Sequence, residues 1–352
     1  TTAIQSTLQT PFRERTNRAV ALRESGINLT TTASYDHEAV RALVADIAAY
    51  VTRDPVDAQI QSFDYATRTF SFTESQPGVT LDQDLLYERV TAALDRWESG
   101  VTVTVDPIVT EPAVTKDELV ASFGLVAAYT TETTNDSNRN TNIDLACQAI
   151  NGTALMPGET FSFNQTTGQR TTEKGYKSAG AIAAGQSIEE VGGGICQVSS
   201  TLFNAVARAN LEIVSRSPHA WPSTYVNIGE DATVNWPNLD FQFKNNTKSP
   251  IFIITYYKNR RMSAEIWGMS LGEGVTIDLQ STIIKTIDPP SEVKYELNTD
   301  LPYGTEKTTV KARTGYVVET EKVWYKDGQE TRRELLHTSN YRAYQQVIEY
   351  NY

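Results

Sequence analysis

The stretch Val191-Gly192-Gly193-Gly194-Ile195-Cys196-Gln197-Val198-Ser199-Ser200-Thr201-Leu202-Phe203 carries the most information in this 352-residue chain. Three glycines end just before Ile195 and Cys196, and Ile195, Val198, Leu202, Ala205, Val206 and Ala209 then recur at helical spacing. Cys196 is therefore expected where a glycine turn feeds a helix N-terminus. Orphan backbone N–H groups and the positive end of the helix dipole stabilise a thiolate there. Glycines at 193 and 194 remove side-chain bulk and let amides face a developing oxyanion. The polar run Gln197, Ser199, Ser200 and Thr201 argues against burial. The stretch reads as a nucleophile site, with Gly193, Gly194, Gln197 and Ser199 as candidate oxyanion or substrate contacts. The competing reading of Cys196 is a small buried hydrophobe. A phosphate-cradling loop is disfavoured, because no Gly-Lys-Ser/Thr follows the glycines.

Composition sets outer limits. With 39% hydrophobic and 21% charged residues the chain is an ordinary folded protein, long enough for two or three domains. A net charge of -12 leaves no basic stripe to neutralise phosphates, so nucleic acid is not an expected partner. No apolar run is long enough to span a bilayer. The chain opens at Thr1, and an N-terminal leader or membrane anchor is expected to precede it. Two cysteines, Cys147 and Cys196, make no disulfide framework. Cys147 falls in a helical apolar pattern, Ile143 to Ile150, and reads as a core residue. His37, His219 and His337 fall in three separate segments, so no metal site or other cofactor is expected.

The chain divides into modules at about 1–112, 113–272 and 273–352, giving a multidomain α+β class. In the first, Asp36 can cap a helix with Val40, Leu43, Val44, Ile47, Ala48 and Val51 inward. Strands follow around 59–63 and 69–72. Thr80 with Gln83 predicts a capping box for a second helix, and Val101–Val105 predicts a strand. In the second module Thr115 and Glu118 predict another capping box. Strands are expected over 224–228, 241–243 and 251–257. The third module is threonine- and valine-rich with regular turns, Asp327-Gly328 among them, and reads as all-β. No chemistry is expected in it, and His337 reads as a surface or strand residue.

A thiolate nucleophile needs a base and a group to orient that base. His219, in Arg216-Ser217-Pro218-His219-Ala220-Trp221-Pro222, is the only histidine of the second module. Prolines restrict its loop, Trp221 can wall it from water, and an ionisation near that of free imidazole is expected. Asp231 and Asp240 are both available as the orienting acceptor.

Taken in order, Pro157-Gly158-Glu159-Thr160-Phe161-Ser162-Phe163-Asn164, Gly175-Tyr176, Gly192 to Ser199, His219 and Gly229-Glu230-Asp231-Ala232-Thr233-Val234 closely resemble the VanW-domain family over about 140–268. The first module is similar to the peptidoglycan-binding domain that precedes VanW domains, and the last to the G-five type of cell-wall β-module. The resemblance implies an extracytoplasmic protein of the cell wall acting on peptidoglycan stem peptides. Some members are recognised as L,D-transpeptidases using the cysteine of this motif, which implies a cysteine acyl-enzyme and 3-3 crosslinks. The Ser/Thr-x-Gly-Cys signature of the better-known L,D-transpeptidase family is absent here. A cysteine hydrolase of peptidoglycan, or a non-catalytic wall-binding protein, are the rival expectations.

Overall fold

The computed structural model describes residues 10–26, 33–97, 99–183 and 186–352. The chain forms two compact units, one of residues 1–55 and 77–111, the other of residues 56–76 and 112–352. Among the described residues no helix is long and apolar enough to cross a membrane.

In the first unit, Asp36 caps the helix His37–Val51 by accepting from the Glu38 and Ala39 amides. Val40 and Val44 of that helix bury against Leu86 of the helix Gln83–Asp95. Leu43 is exposed, so the buried stripe is narrower than its apolar spacing suggests. Asp82, not the expected Thr80 box, caps the second helix through the Leu85 amide. Val101–Val105 forms no strand, and Ile108–Thr110 pairs with Gly78–Thr80 instead. A further helix, Phe12–Ser25, buries no residue and shows no apolar stripe from which it could be read.

The hairpin Ile60–Asp64 and Thr69–Phe72, read as part of the first module, belongs to the second unit. Its aromatics explain why. Phe63 packs with Phe252, Ile254 and Trp267, and Phe72 with Leu119 and Phe123. The Arg68 guanidinium also bonds Glu265 at 2.8 Å.

At the heart of this unit is an antiparallel sheet, in the order Phe123–Glu132, Arg261–Met269, Ile251–Lys258 and Thr153–Leu155. The helices Ser137–Ile150 and Ile195–Arg208 lie against it. They contribute Ile143, Ala146, Ile150, Val198, Leu202 and Phe203 to one core with Ile253, Met262, Ala264 and Ile266. A smaller sheet of Glu212–Ser215, Gln242–Lys244 and Thr160–Ser162 completes the α+β middle. Residues 224–228 form no strand.

Residues 275–351 are all-β, as expected. Val275–Ile287, Gly315–Lys326 and Gln329–Tyr341 make one sheet, and Lys294–Leu297, Val347–Asn351 and Thr305–Val310 another. Asp327 and Gly328 turn the long hairpin with positive φ of 51° and 81°, the left-handed pair such a turn requires. This β-module is not separate from the middle: Leu279 joins the main core and Tyr341 is buried.

Candidate active site

The glycine turn delivers Cys196 to the start of a helix. Gly194 caps the helix Ile195–Arg208 with φ of 105°, a conformation that strains any residue with a Cβ. At Gly193 the need is close approach: a Cβ there would lie 2.4 Å from the Ala179 carbonyl oxygen. Asn142 pins the turn from the neighbouring helix, donating to the Lys177 and Gly193 carbonyls at 3.0 and 2.9 Å.

The amide of Gly193 already donates to Glu190, Ile195 to Gly192 and Gln197 to Gly194. Among the described residues the amides of Gly194 and Cys196 have no acceptor. The turn thus leaves two backbone donors unpaired, and at Gly193 it requires the lack of a side chain.

The polar run after the cysteine does not lie open to solvent. Gln197, Ser199, Ser200 and Thr201 are all buried. Ser199 donates to the Ala232 carbonyl at 2.6 Å, and Ser200 accepts from the Ala232 amide at 2.9 Å. Asn204 donates to the Glu230 carbonyl at 2.8 Å. These bonds bind the cysteine helix to the segment carrying Asp231, and the buried Ser199 hydroxyl is engaged within that frame. Gln197 accepts from Arg139 at 2.7 Å and donates to Thr131 and Glu132, which commits its side chain to positioning Arg139.

Across the cleft, the Asp231 carboxylate fixes His219 twice. Oδ2 accepts from the His219 amide at 2.7 Å and hydrogen-bonds with Nδ1. That leaves Nε2 free of Asp231, while the Cys196 thiol donates to the Val234 carbonyl at 3.3 Å and feels the His219 charge. Oδ1 of Asp231 accepts from Tyr341 at 2.6 Å and from Arg216 at 3.0 Å. Asp240, the other candidate orienter, is elsewhere: it accepts from Ser162 at 2.6 Å and from the Asn164 amide at 2.8 Å. Trp221 does not wall His219, since it packs on Tyr344 and Arg313. The ring beside the imidazole is Tyr225, whose hydroxyl lies 3.5 Å from Nε2.

The charges of these groups favour an ion pair. Burial pushes the Cys196 thiol up, but the hydrogen bond and charge of His219, with Arg170 adding its own, bring it below the ordinary thiol value. Burial disfavours a charged His219, yet Asp231 and Cys196 outweigh this and raise it well above free imidazole. The expected ionisation near that of free imidazole is therefore displaced upward. Asp231 is held down to about 2: burial opposes the charge, and His219, Arg216 and Tyr341 overcome it. Cys147 is the opposite case, a buried thiol that desolvation pushes far up.

Cys196 and His219 line a cleft of about 840 Å³ with Gly192, Gly193, Gly194, Tyr225 and Trp236. A nucleophilic sulfur, an imidazolium beside it, a carboxylate behind that and two free amides are the parts needed for acyl transfer. Among the described residues no group of three or more His, Cys, Asp or Glu could hold a metal.

Local sequence did not reveal Tyr341, which reaches Asp231 from a strand 110 residues away. Nor did it reveal Arg216, buried between Asp231 and Ser339. His337, read as a surface or strand residue, is a half-buried strand residue bonded through Nε2 to the Gly229 carbonyl at 2.8 Å. Arg139 and Asn142 had a signal, a polar pair three residues apart on the helix that also carries Ile143, Ala146 and Ile150.

Residues 138–267 match the family described as "VanW like protein". Residues 2–102 match one described as "Putative peptidoglycan binding domain", and residues 280–351 match the G5 domain. The chain is 32% identical over 299 residues to "Uncharacterized protein YoaR" of Bacillus subtilis (strain 168), covering 84% of this chain and 94% of that protein. It is 33% identical over 115 residues to "Vancomycin B-type resistance protein VanW" of Enterococcus faecalis (strain ATCC 700802 / V583), covering 31% of this chain and 42% of the other. Among solved structures, an IgA1 protease G5 domain aligns with 22% identity and a TM-score of 0.15, over 22% of this chain and 92% of that one.

Proposed function

Because this chain belongs to the VanW-like protein family, joined to peptidoglycan-binding and G5 modules, we propose that it is a cysteine-dependent L,D-transpeptidase of peptidoglycan. The family places it among cell-wall-associated proteins. The observation that supports the activity is the pair Cys196 and His219 at the wall of one cleft, with Asp231 bonded behind the imidazole.

The Cys196 thiolate attacks the carbonyl joining the third and fourth residues of a donor stem peptide. A carbon–sulfur bond forms, and the oxyanion is held by the free amides of Gly194 and Cys196. As the tetrahedral intermediate collapses, the carbon–nitrogen bond breaks and the His219 imidazolium gives its proton to the departing amine. The side-chain amine of an acceptor stem then attacks the thioester and loses a proton to His219. The new amide joins two third-position residues and Cys196 leaves as thiolate. Asp231 keeps the imidazole in the orientation and tautomer that presents Nε2 to the sulfur. Water in place of the acceptor amine makes the same site an L,D-carboxypeptidase.

Incubating the protein with purified muropeptides and weighing the products by mass spectrometry tests this. Crosslinked dimers that vanish in Cys196→Ala are the expected result. Fragments alone would indicate a hydrolase, and unchanged substrate a wall-binding protein without catalysis.

A further inference from the structure

Three arginines, Arg139, Arg170 and Arg342, line the Cys196 cleft with a single acid, Glu190. That excess of positive charge stands out in a chain of net charge -12. Among the described residues none of the three forms an ion pair within the protein. Arg139 is committed to Gln197.

Arg170 is fixed but not satisfied. Its Nη1 donates to Asn164 Oδ1 at 2.8 Å, and Asn164 is itself held by its Nδ2 bond to the Leu239 carbonyl and its amide bond to Asp240. The guanidinium carbon lies 5.4 Å from the Phe163 ring, and the stem presses on Gly192, where a Cβ would come within 3.0 Å of Arg170 Cβ. The remaining donors, Nε and Nη2, are buried and have no acceptor. Leaving buried donors unpaired is costly, so their position calls for a ligand. Nε and Nη2 form one edge of the guanidinium, two parallel N–H bonds whose spacing matches the oxygens of a carboxylate. Burial raises the worth of that pairing, since charge-assisted bonds strengthen as the local dielectric falls.

We propose that the Nε/Nη2 edge of Arg170 receives the free α-carboxylate of the peptide residue that Cys196 expels, and so determines which bond the site attacks. The proposal rests on the acyl-transfer reading above and names its donor class. In a peptide with a free C-terminus the carboxylate is separated from the scissile nitrogen only by one α-carbon. A nucleophile beside a carboxylate anchor therefore acts on the last peptide bond and passes over internal ones. The carbon–sulfur bond forms, the carbon–nitrogen bond breaks, the nitrogen takes its proton from His219, and the amino acid leaves with its carboxylate on Arg170.

The test measures binding without turnover. Full-length Cys196→Ala protein is titrated calorimetrically with a stem tetrapeptide bearing a free terminal carboxylate, and with the same peptide as its terminal carboxamide. The acid should bind about 100-fold tighter, the range of a lost bidentate charge-assisted pair. Adding Arg170→Gln should bring the acid down to the level of the amide, and Arg170→Lys should restore at most about tenfold, since it keeps the charge and loses the fork. Equal affinity for acid and amide in the parent overturns the proposal before any arginine variant is made. An acid preference that survives Arg170→Gln overturns it as well. Acid preference lost on Arg170→Gln, in a protein whose wild type leaves muropeptides unchanged, refutes acyl transfer and leaves the anchor standing.

Discussion

One side-chain type sits in two opposite settings in this protein. Cys147 is sealed in the core and its thiol is pushed far up, whereas Cys196 faces an imidazolium and is pulled down. Only a thiolate is alkylated at useful rates. Iodoacetamide should therefore label Cys196 well below the ordinary thiol value of about 8.5 and spare Cys147 until the protein unfolds. Peptide mapping across a pH series reads both; equal labelling of the two would remove the case for a special Cys196. His219→Ala should lower turnover by about two to four orders of magnitude. It should also shift the alkylation profile of Cys196 toward alkaline pH, because burial remains once the imidazolium is gone. The direction follows from the ion pair. For turnover, the ion pair is lost as pH falls through the lowered thiol ionisation, and again as pH rises through the raised imidazolium, whereas alkylation is lost only on the acid side. Near-normal turnover in His219→Ala would dismiss it as the acid–base group.

The element that matters most is the glycine turn and the helix it starts. Both were legible in the sequence, because glycines before a helical apolar pattern leave few alternatives. What the pattern could not convey is the direction of the polar residues. Serines and threonines at a helix start usually bond locally or to water, yet here Ser199 and Ser200 grip the backbone of residue 232 inside the core. His219 was readable as the only histidine of its module, whereas the choice of Asp231 over Asp240 waited on tertiary contacts. Packing is what local propensity could not convey at the hairpin of 60–72, whose rings are buried within the second unit. Gly193→Ala tests the turn directly. Its methyl would meet the Ala179 carbonyl, so urea denaturation should show a loss of about 2 kcal/mol or more. An unchanged midpoint would mean that the turn has room which the structure does not show.

Across the whole molecule, the C-terminal β-module reaches into the site. Tyr341 is buried and bonded to Asp231, and Ser339 of the same strand accepts from Arg216. Tyr341→Phe should lower kcat by about tenfold with KM nearly unchanged, the effect of losing one hydrogen bond to a charged group. A merely structural Tyr341 would leave kcat and the alkylation profile of Cys196 untouched. His337 in that strand supplies a second long-range effect. Burial and the Arg216 charge depress it from 6.5 to about 4 in the folded chain. The unfolded chain therefore binds this proton first as pH is lowered from 6.5 to 4, and stability falls across that window. The loss is on the order of 3 kcal/mol, by the shift in ionisation. His337→Gln keeps a donor for the Gly229 carbonyl and should flatten urea stability over the same range. An undiminished slope would assign the acid sensitivity to other groups.

The bond between Asp231 and Tyr341 also bears on timing. A chain made from its amino end acquires Cys196, His219 and Asp231 well before the strand that secures the carboxylate exists. Until the last strands dock, the imidazole lacks its full support, and the sulfur stays closer to an ordinary thiol. The proposed site therefore gains its full hydrogen-bonded support only when the strand carrying Tyr341 has docked.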